Sequence, residues 1–439
     1  MPASARRSAE TQASPRRVAV LGGSRIPFAR QNGPYARASN QDMLTATLNT
    51  LAGRFNLEGE VLGEVAAGAV LKHSRDFNLT RETVLGSTLA PETPAYDVQQ
   101  ACGTGLEATV LVANKIALGQ IDCGVAGGVD TTSDAPLAVG EDLRQVLLSL
   151  SRAQSNAARL RALARLRPQQ LIPEIPRNAE PRTGLSMGEH TARMATEWGI
   201  GRAEQDELAV ASHHHLAAAY DTGWMDDLVV PFLGLERDQN LRPDSSVEKL
   251  AKLKPVFGGP DGTMTAGNST PLSDGASAVL LASEEWAAAH GIPVQAYLST
   301  AQTAAVDYVH KGEGLLMAPA YAMPRMLERA GLGLQDFDFY EIHEAFAAQV
   351  LCTLKAWEDP VFCREKLGLD APLGVIDRDK LNVHGGSLGA GHPFGATGGR
   401  IVATLAKALN ETDPSRGGRG VISICAAGGL GITAIMEAR

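Results

Sequence analysis

The 439-residue sequence has no apolar run of the roughly 18 or more residues that a membrane-spanning helix requires, so no such span is expected. It also lacks an excess of positive charge. The formal net charge of −9 excludes nucleic acid as a general partner, because binding phosphates needs a basic surface. Cysteine is sparse and odd in number, five residues spread over positions 102, 123, 352, 363 and 425. No C-x-x-C pair and no Cys/His pair has zinc-site spacing, so reduced thiols, a cytosol-like compartment and no bound metal are expected. The first 17 residues carry Arg6, Arg7, Arg16 and Arg17 against one acid, Glu10, and lack the apolar stretch of a secretory signal. Residues 1–16 are therefore expected to be a disordered basic leader, although their composition also suits a transit peptide.

What the chain does contain is 44% hydrophobic and 20% charged residues with abundant Gly, a globular profile too long for one compact core. Ordered structure is expected to begin at Arg17-Val18-Ala19-Val20-Leu21, a buried-strand pattern ended by Gly22-Gly23. Strands are expected over 64–71 and 123–128 and a helix over 106–118, an alternation that favours an α/β sheet. Residues 133 to about 265 read as a helix-rich insertion. Within it, 143–171 holds six arginines (144, 152, 159, 161, 165, 167) and no acid. Leu143, Leu147 and Leu150 share one helical face, as do Leu160 and Leu163, which suits either a helix packed on its own protein or one meeting a membrane surface or partner. α/β character returns at 276–281 and again from about Val294. A last strand pair is expected at 420–425 and 431–436.

Several motifs compete for the chemistry. Cys102 precedes Gly103-Thr104-Gly105-Leu106 at an expected strand-to-helix junction, where a helix N-terminus lowers a thiol pKa. A lone cysteine is nevertheless more often a small buried hydrophobe. Gly103 to Ala108 fits G-x-G-x-x-A, but 97–100 makes a poor buried strand and no acid follows a second strand at the right distance. Gly385-Gly386-Ser387-Leu388-Gly389 matches G-x-S-x-G, yet the only later histidine is His392, with no acid between, so a serine-hydrolase order fails. His213, His214 and His215 cannot converge on one ion, because helical neighbours point about 100° apart. The densest signal is Asn382 to Arg400, a Gly-rich loop that delivers His392 as a base or donor.

That block stands in order with Ala101-Cys102-Gly103-Thr104-Gly105, the 265–276 segment Thr-Ala-Gly-Asn-Ser-Thr-Pro-Leu-Ser-Asp-Gly-Ala, His343-Glu344-Ala345-Phe346-Ala347 and Cys425-Ala426-Ala427-Gly428-Gly429-Leu430-Gly431. Together these resemble the thiolase family over nearly the whole chain from Val18, most closely the 3-ketoacyl-CoA thiolases found as β subunits of trifunctional complexes, which have His where most thiolases have Asn at position 343.

The resemblance implies a five-layered α-β-α-β-α fold of two similar halves, 17–290 and 291–439, the first carrying the helical loop-domain insertion. It implies an acyltransferase of fatty-acid β-oxidation in which Cys102 is the nucleophile, His392 its base, Cys425 a second acid/base thiol and His343 an oxyanion group acting through a held water. The backbone N–H groups of Cys102 and Ala427 would form the other oxyanion site. Ser269, Thr270 and Gly391 would lie near coenzyme A, which is a substrate, so that no cofactor is expected. A homodimer or homotetramer is expected, with 143–171 facing either a β-oxidation α subunit or a membrane. The expected compartment is the bacterial cytoplasm, or the mitochondrion if the leader is a transit peptide. A biosynthetic acetyl-CoA acetyltransferase uses the same residues, and a non-catalytic thiolase-like lipid-binding protein is the other alternative.

Overall fold

The computed structural model describes residues 15–413 and 417–439. Nine strands carry the architecture: β1 Val18–Arg25, β2 Glu64–Ala67, β3 Ala95–Asp97, β4 Cys123–Asp130, β5 Ser273–Ser283, β6 Ala296–Ala305, β7 Phe339–Ile342, β8 Arg419–Ala426 and β9 Leu430–Ala438. The helices used below are α1 Asn40–Arg54, α2 Thr104–Ala117, α3 Glu141–Arg152, α4 Asn156–Leu163, α5 Met187–Glu197, α6 Arg202–Asp221, α7 Ala318–Ala330, α8 Ala347–Glu358 and α9 Thr397–Asn410.

The strands run β7-β8-β9-β6-β1-β5-β4-β2-β3 across one continuous sheet. Split between β6 and β1, that order exposes an internal repeat. In the first half β1 pairs with β5 and β5 with β4, both antiparallel, and β4 pairs with β2 in parallel. In the second half β6, β9, β8 and β7 repeat those pairings and directions. The halves meet where Val18–Val20 pair with Ala296–Leu298. No residue identity betrays this repeat, because the two halves share backbone pattern rather than side chains.

Period-2 alternation divides the apolar residues into separate cores. Ala278, Leu280 and Ala282 of β5 pack with Leu48 and Leu51 of α1, whereas Val279 and Leu281 face the opposite cluster. In β8, Ile422 and Ile424 join that same cluster, while Val421 turns to a third core with Met323 of α7 and Leu351 of α8. The shared cluster also holds Val112 and Ile116 of α2 with Ile401 and Leu405 of α9. Five layers follow, with α2 and α9 as the middle one.

Those two helices cross on glycines. A Cβ at Gly398 would lie 2.1 Å from the Leu106 backbone nitrogen, and one at Gly105 would lie 2.7 Å from the Gly399 nitrogen. Neither neighbour is a side chain that can swing away.

Several sequence expectations shift. Arg16, assigned to the leader, is anchored: its Nη1 donates to Asp122 at 2.7 Å and its Nε to the Ile116 carbonyl at 2.9 Å. Residues 1–14 of that leader lie outside the described residues. The strand expected over 64–71 stops at Ala67, because the backbone N–H groups of Val70 and Leu71 turn to the Asp130 carboxylate. The arginine-rich stretch is not one helix. Ser155 caps α4 by accepting from the Ala158 N–H, which separates it from α3, and a 3-10 turn follows at Pro168–Leu171. Leu143 is buried there, while Leu147, Leu160 and Leu163 are exposed. The three adjacent histidines diverge along α6: His213 Nδ1 accepts from the Arg242 N–H, His214 meets the Ser245 carbonyl and His215 the Asn382 carbonyl.

Replacing Gly398 with Ala should push α2 and α9 apart. A loss of about 1–3 kcal/mol is expected from such overpacking, read as a lower urea midpoint with Gly53→Ala on α1, where the nearest neighbour is a side chain at 3.9 Å, as control.

Candidate active site

Cys102 sits on a tight turn between β3 and α2. The Gly103 N–H donates to the Gln100 carbonyl at 3.0 Å and the Thr104 N–H to the Ala101 carbonyl at 3.1 Å. The turn forces Ala101 to a φ of 48°. That left-handed conformation costs an L-residue about 1–2 kcal/mol and persists only where the surroundings fix it.

The opposite wall is the loop before α9, in the other half of the repeat. His392 Nε2 is 3.1 Å from Cys102 Sγ, and His392 Nδ1 is 2.6 Å from Thr397 Oγ1. With Nδ1–H donating to Thr397, the free Nε2 lone pair accepts the Cys102 S–H; this tautomer is assigned from the network. The loop is tied down at both ends of the histidine. The His392 N–H donates to Ser273 Oγ and the Gly395 N–H to Asp130 Oδ2. Gly391 has a φ of 105°, and a Cβ there would lie 2.9 Å from Ser273 Oγ. Its placement therefore secures the loop's path.

His343 follows β7 and brings its ring to 4.1 Å from that of His392, centroid to centroid. Its Nδ1 is 2.9 Å from Ser387 Oγ, a hydroxyl that also accepts from Arg400 Nη2 at 3.1 Å, and its Nε2 is buried with no hydrogen-bond partner among the described residues. Cys102, His343 and His392 each present one ligand atom, all within 4.8 Å of one another. Cys425, at the end of β8, is buried and close enough to Cys102 that an ionised neighbour would raise its pKa. The Ala427 N–H, in the turn after β8, and the N–H of Cys102 itself both point at Cys102 Sγ.

Burial sets the protonation states. It pushes the Cys102 thiol up to about 12 against the pull of those two N–H groups, and pushes His392 down to about 3 with help from the Arg400 charge. Burial also holds His343 well below, and Cys425 well above, their ordinary values. The expectation that the helix end lowers the Cys102 pKa is thus reversed. α2 begins only at Thr104, and loss of water is the largest influence on the thiol. Burial thus favours the neutral forms of both thiol and imidazole.

Three supporting groups escape a reading by motif. Asp130 accepts from Val70, Leu71 and Gly395, joining β4 to the His392 loop; its carboxyl is nonetheless pushed up to about 7 by burial. Glu344 accepts from Ser212 Oγ, Asn382 Nδ2 and the Leu388 N–H, holding the Gly-rich loop on α6. Glu180, from the insertion, accepts the Gly428 N–H at 2.9 Å and the Tyr308 hydroxyl at 3.0 Å, which fixes the turn carrying Ala427. Only Glu344 had a signal, its adjacency to His343. The other two carboxylates have no local pattern.

A cavity of about 370 Å³ opens onto Cys102 and Ala427. Leu71, Val70, Ile175, Met187, Leu272 and Phe394 make it predominantly apolar, and Arg177 and Asn178 stand at its insertion side. Ser269 and Thr270 lie apart from these lining residues. Thr270 donates through N and Oγ1 to the Ala345 carbonyl, and Ser269 pairs with Phe346, so the two brace the His343 loop.

Comparison with known proteins agrees with this architecture. The family description "Thiolase, N-terminal domain" matches residues 18–285 and "Thiolase, C-terminal domain" matches 292–438. The chain is 39% identical over 427 residues to the 3-ketoacyl-CoA thiolase of Yersinia pestis (strain Pestoides F), covering 96% of this chain and 97% of that one. Among solved structures, the Bacillus anthracis acetyl-CoA acetyltransferase superposes with a TM-score of 0.79 at 29% identity, over 97% of this chain and 100% of that one. Human mitochondrial 3-ketoacyl-CoA thiolase in complex with CoA gives 0.78 at 28%, over 97% and 98%.

With the Cys102 thiol pushed up to about 12, it is protonated at every pH well below that value. The ultraviolet difference between the wild type and Cys102→Ser should therefore show no thiolate band at pH 7. A band that persisted into acid would reveal a preformed thiolate–imidazolium pair instead.

Proposed function

The chain belongs to the thiolase family, and from that premise we propose that it cleaves 3-ketoacyl-CoA with coenzyme A to acetyl-CoA and a shortened acyl-CoA, as an acyltransferase of fatty-acid β-oxidation. The observation that carries this is the 3.1 Å contact between His392 Nε2 and Cys102 Sγ at the foot of an apolar cavity.

In the first step His392 Nε2 takes the Cys102 proton as sulfur attacks the 3-keto carbon. The Cα–Cβ bond breaks, the acyl group stays on Cys102, and the enolate of acetyl-CoA takes its proton from Cys425. In the second step Cys425 takes the proton of the incoming coenzyme A thiol, and the CoA sulfur attacks the acyl-Cys102 thioester. Cys102 leaves and recovers its proton from His392. Burial keeps Cys425 protonated at rest, which suits a group that must first act as an acid. The N–H groups of Cys102 and Ala427 stabilise one oxyanion. His343 serves the other with His392; its Ser387 partner already accepts from Arg400, so the hydroxyl proton is free to donate to Nδ1 and leave Nε2–H as the donor. Removing one such donor typically costs about 10²–10³ in rate.

The apolar cavity favours the degradative reading with longer acyl chains over acetoacetyl-CoA synthesis, and the filled positions at 102, 343, 392 and 425 argue against a non-catalytic lipid carrier. Coenzyme A is proposed to enter past the insertion, with Ser269, Thr270 and Gly391 shaping its approach through the loops they brace. Leu147, Leu160, Leu163, Leu171 and Ile172 are exposed beside the six arginines of 143–171, which supports docking there of an anionic membrane surface or a β-oxidation α subunit. Five unpaired cysteines fit a reducing compartment, here the bacterial cytoplasm, and a homodimer or homotetramer is the proposed assembly.

Cys102→Ala should abolish thiolysis and Cys102→Ser leave at most a trace. His343→Ala should lower kcat by about 10²–10³. Steady-state rates with C4 against C12–C16 3-ketoacyl-CoA discriminate the two directions; a preference for C4 would sink the degradative reading.

A further inference from the structure

The mechanism uses one imidazole to receive the Cys102 proton, yet two imidazoles face that sulfur. His392 Nε2 meets it at 3.1 Å, while the fully buried His343 Nε2 has no hydrogen-bond partner among the described residues. A buried nitrogen without a partner costs about 1–3 kcal/mol; the oxyanion meets it only during turnover, so in the resting site it is open to another ligand. Each ring is oriented through its other nitrogen by a hydroxyl, Thr397 Oγ1 for His392 and Ser387 Oγ for His343. Histidine ligands of metals are likewise oriented through their second nitrogen, usually by a carboxylate, carbonyl or water, and here by hydroxyls.

We propose that Cys102, His343 and His392 form a binding site for a soft divalent cation of the Zn²⁺ class, and that its occupation removes the thiol from catalysis. Two imidazole nitrogens and one sulfur are a donor set such an ion selects, and harder Mg²⁺ does not. Around a tetrahedral Zn²⁺ these atoms stand about 3.3–3.6 Å apart, given bonds of about 2.0–2.1 Å to nitrogen and 2.3 Å to sulfur. The Cys102–His392 pair is already at 3.1 Å, and all three ligand atoms lie within 4.8 Å, so closure needs a shift of roughly 1 Å. Both rings ligate through Nε2 with Nδ1–H donating to their hydroxyls, and Ser387 Oγ then accepts from His343 and Arg400 together. Cys102 binds as thiolate, so its S–H bond breaks, an S–Zn bond forms and one proton passes to solvent. Cys102 lines the cavity, which gives the ion its way in. The site itself stands on geometry; only its effect on turnover rests on Cys102 being the nucleophile.

The test uses the full chain, stripped with chelator and desalted, and titrated with CoCl₂. One Co²⁺ per chain is expected, with four-coordinate d–d absorption, a thiolate-to-cobalt charge-transfer band and release of one proton. Zn²⁺ should displace the cobalt and Mg²⁺ should not. Cys102→Ser should lose the charge-transfer band. Loss of an outer hydroxyl in Ser387→Ala should weaken binding about 10–100-fold, and His343→Asn at least as much, each variant being checked for folding by circular dichroism. A wild type without the charge-transfer band at excess Co²⁺, or a band of unchanged affinity in either folded variant, overturns the site. Binding confirmed by the spectrum with thiolysis undiminished at saturating Zn²⁺ overturns the silencing, and with it the role of Cys102 as nucleophile.

Discussion

Everything at this centre depends on holding one sulfur against one imidazole across the boundary between two half-structures. Cys102 precedes α2, in the first half, and His392 precedes α9, its counterpart in the second. Since α2 and α9 form the middle layer, the contact lies where the helices begin, and its 3.1 Å separation is set by how closely they cross. Glycines at 105 and 398 permit that approach. The crossing and the contact are one constraint, and a side chain large enough to separate the helices separates sulfur from imidazole as well.

A second consequence is electrostatic. Placing the pair in the middle layer strips it of water, and desolvation drives thiol and imidazole alike toward their neutral forms. Against that loss of water, the N–H groups of Cys102 and Ala427 are the dipoles aimed at the sulfur. Such preorganised dipoles act most strongly in a medium without competing water. Buried carboxylates are spent on architecture instead. Asp130, Glu344 and Glu180 each gather hydrogen bonds from separate segments and so fix three loops that would otherwise move independently.

The insertion has two faces with different physical demands. Its inner side supplies Glu180 and the cavity wall at Ile175 and Met187, while its outer side leaves leucines exposed beside arginines. The two roles fall on successive parts of the chain: α3 and α4, separated at Ser155, carry exposed leucines, and 175–187 supplies the inner residues.

The sequence by itself determined the fold class and the residues that face the sulfur. Alternating apolar runs announce strands, and the blocks around 102, 343, 392 and 425 are contiguous, so their signal survives in one dimension. Cys102 alone looked like packing, and its weight came from its company. The tertiary structure alone decided what depends on distance and on exclusion of water. The resemblance implies two similar halves, but the pairings that make them so, β1–β5–β4–β2 repeated in β6–β9–β8–β7, lie in hydrogen-bond direction, which no residue identity encodes. The direction of the Cys102 pKa shift came out opposite to the local expectation, because burial is a property of the surrounding layers. Asp130 and Glu180 act on segments far away in the chain, Gly395 and Gly428, so their roles have no local pattern to read. The unpartnered His343 nitrogen likewise exists only once β7 and the His392 loop are packed together.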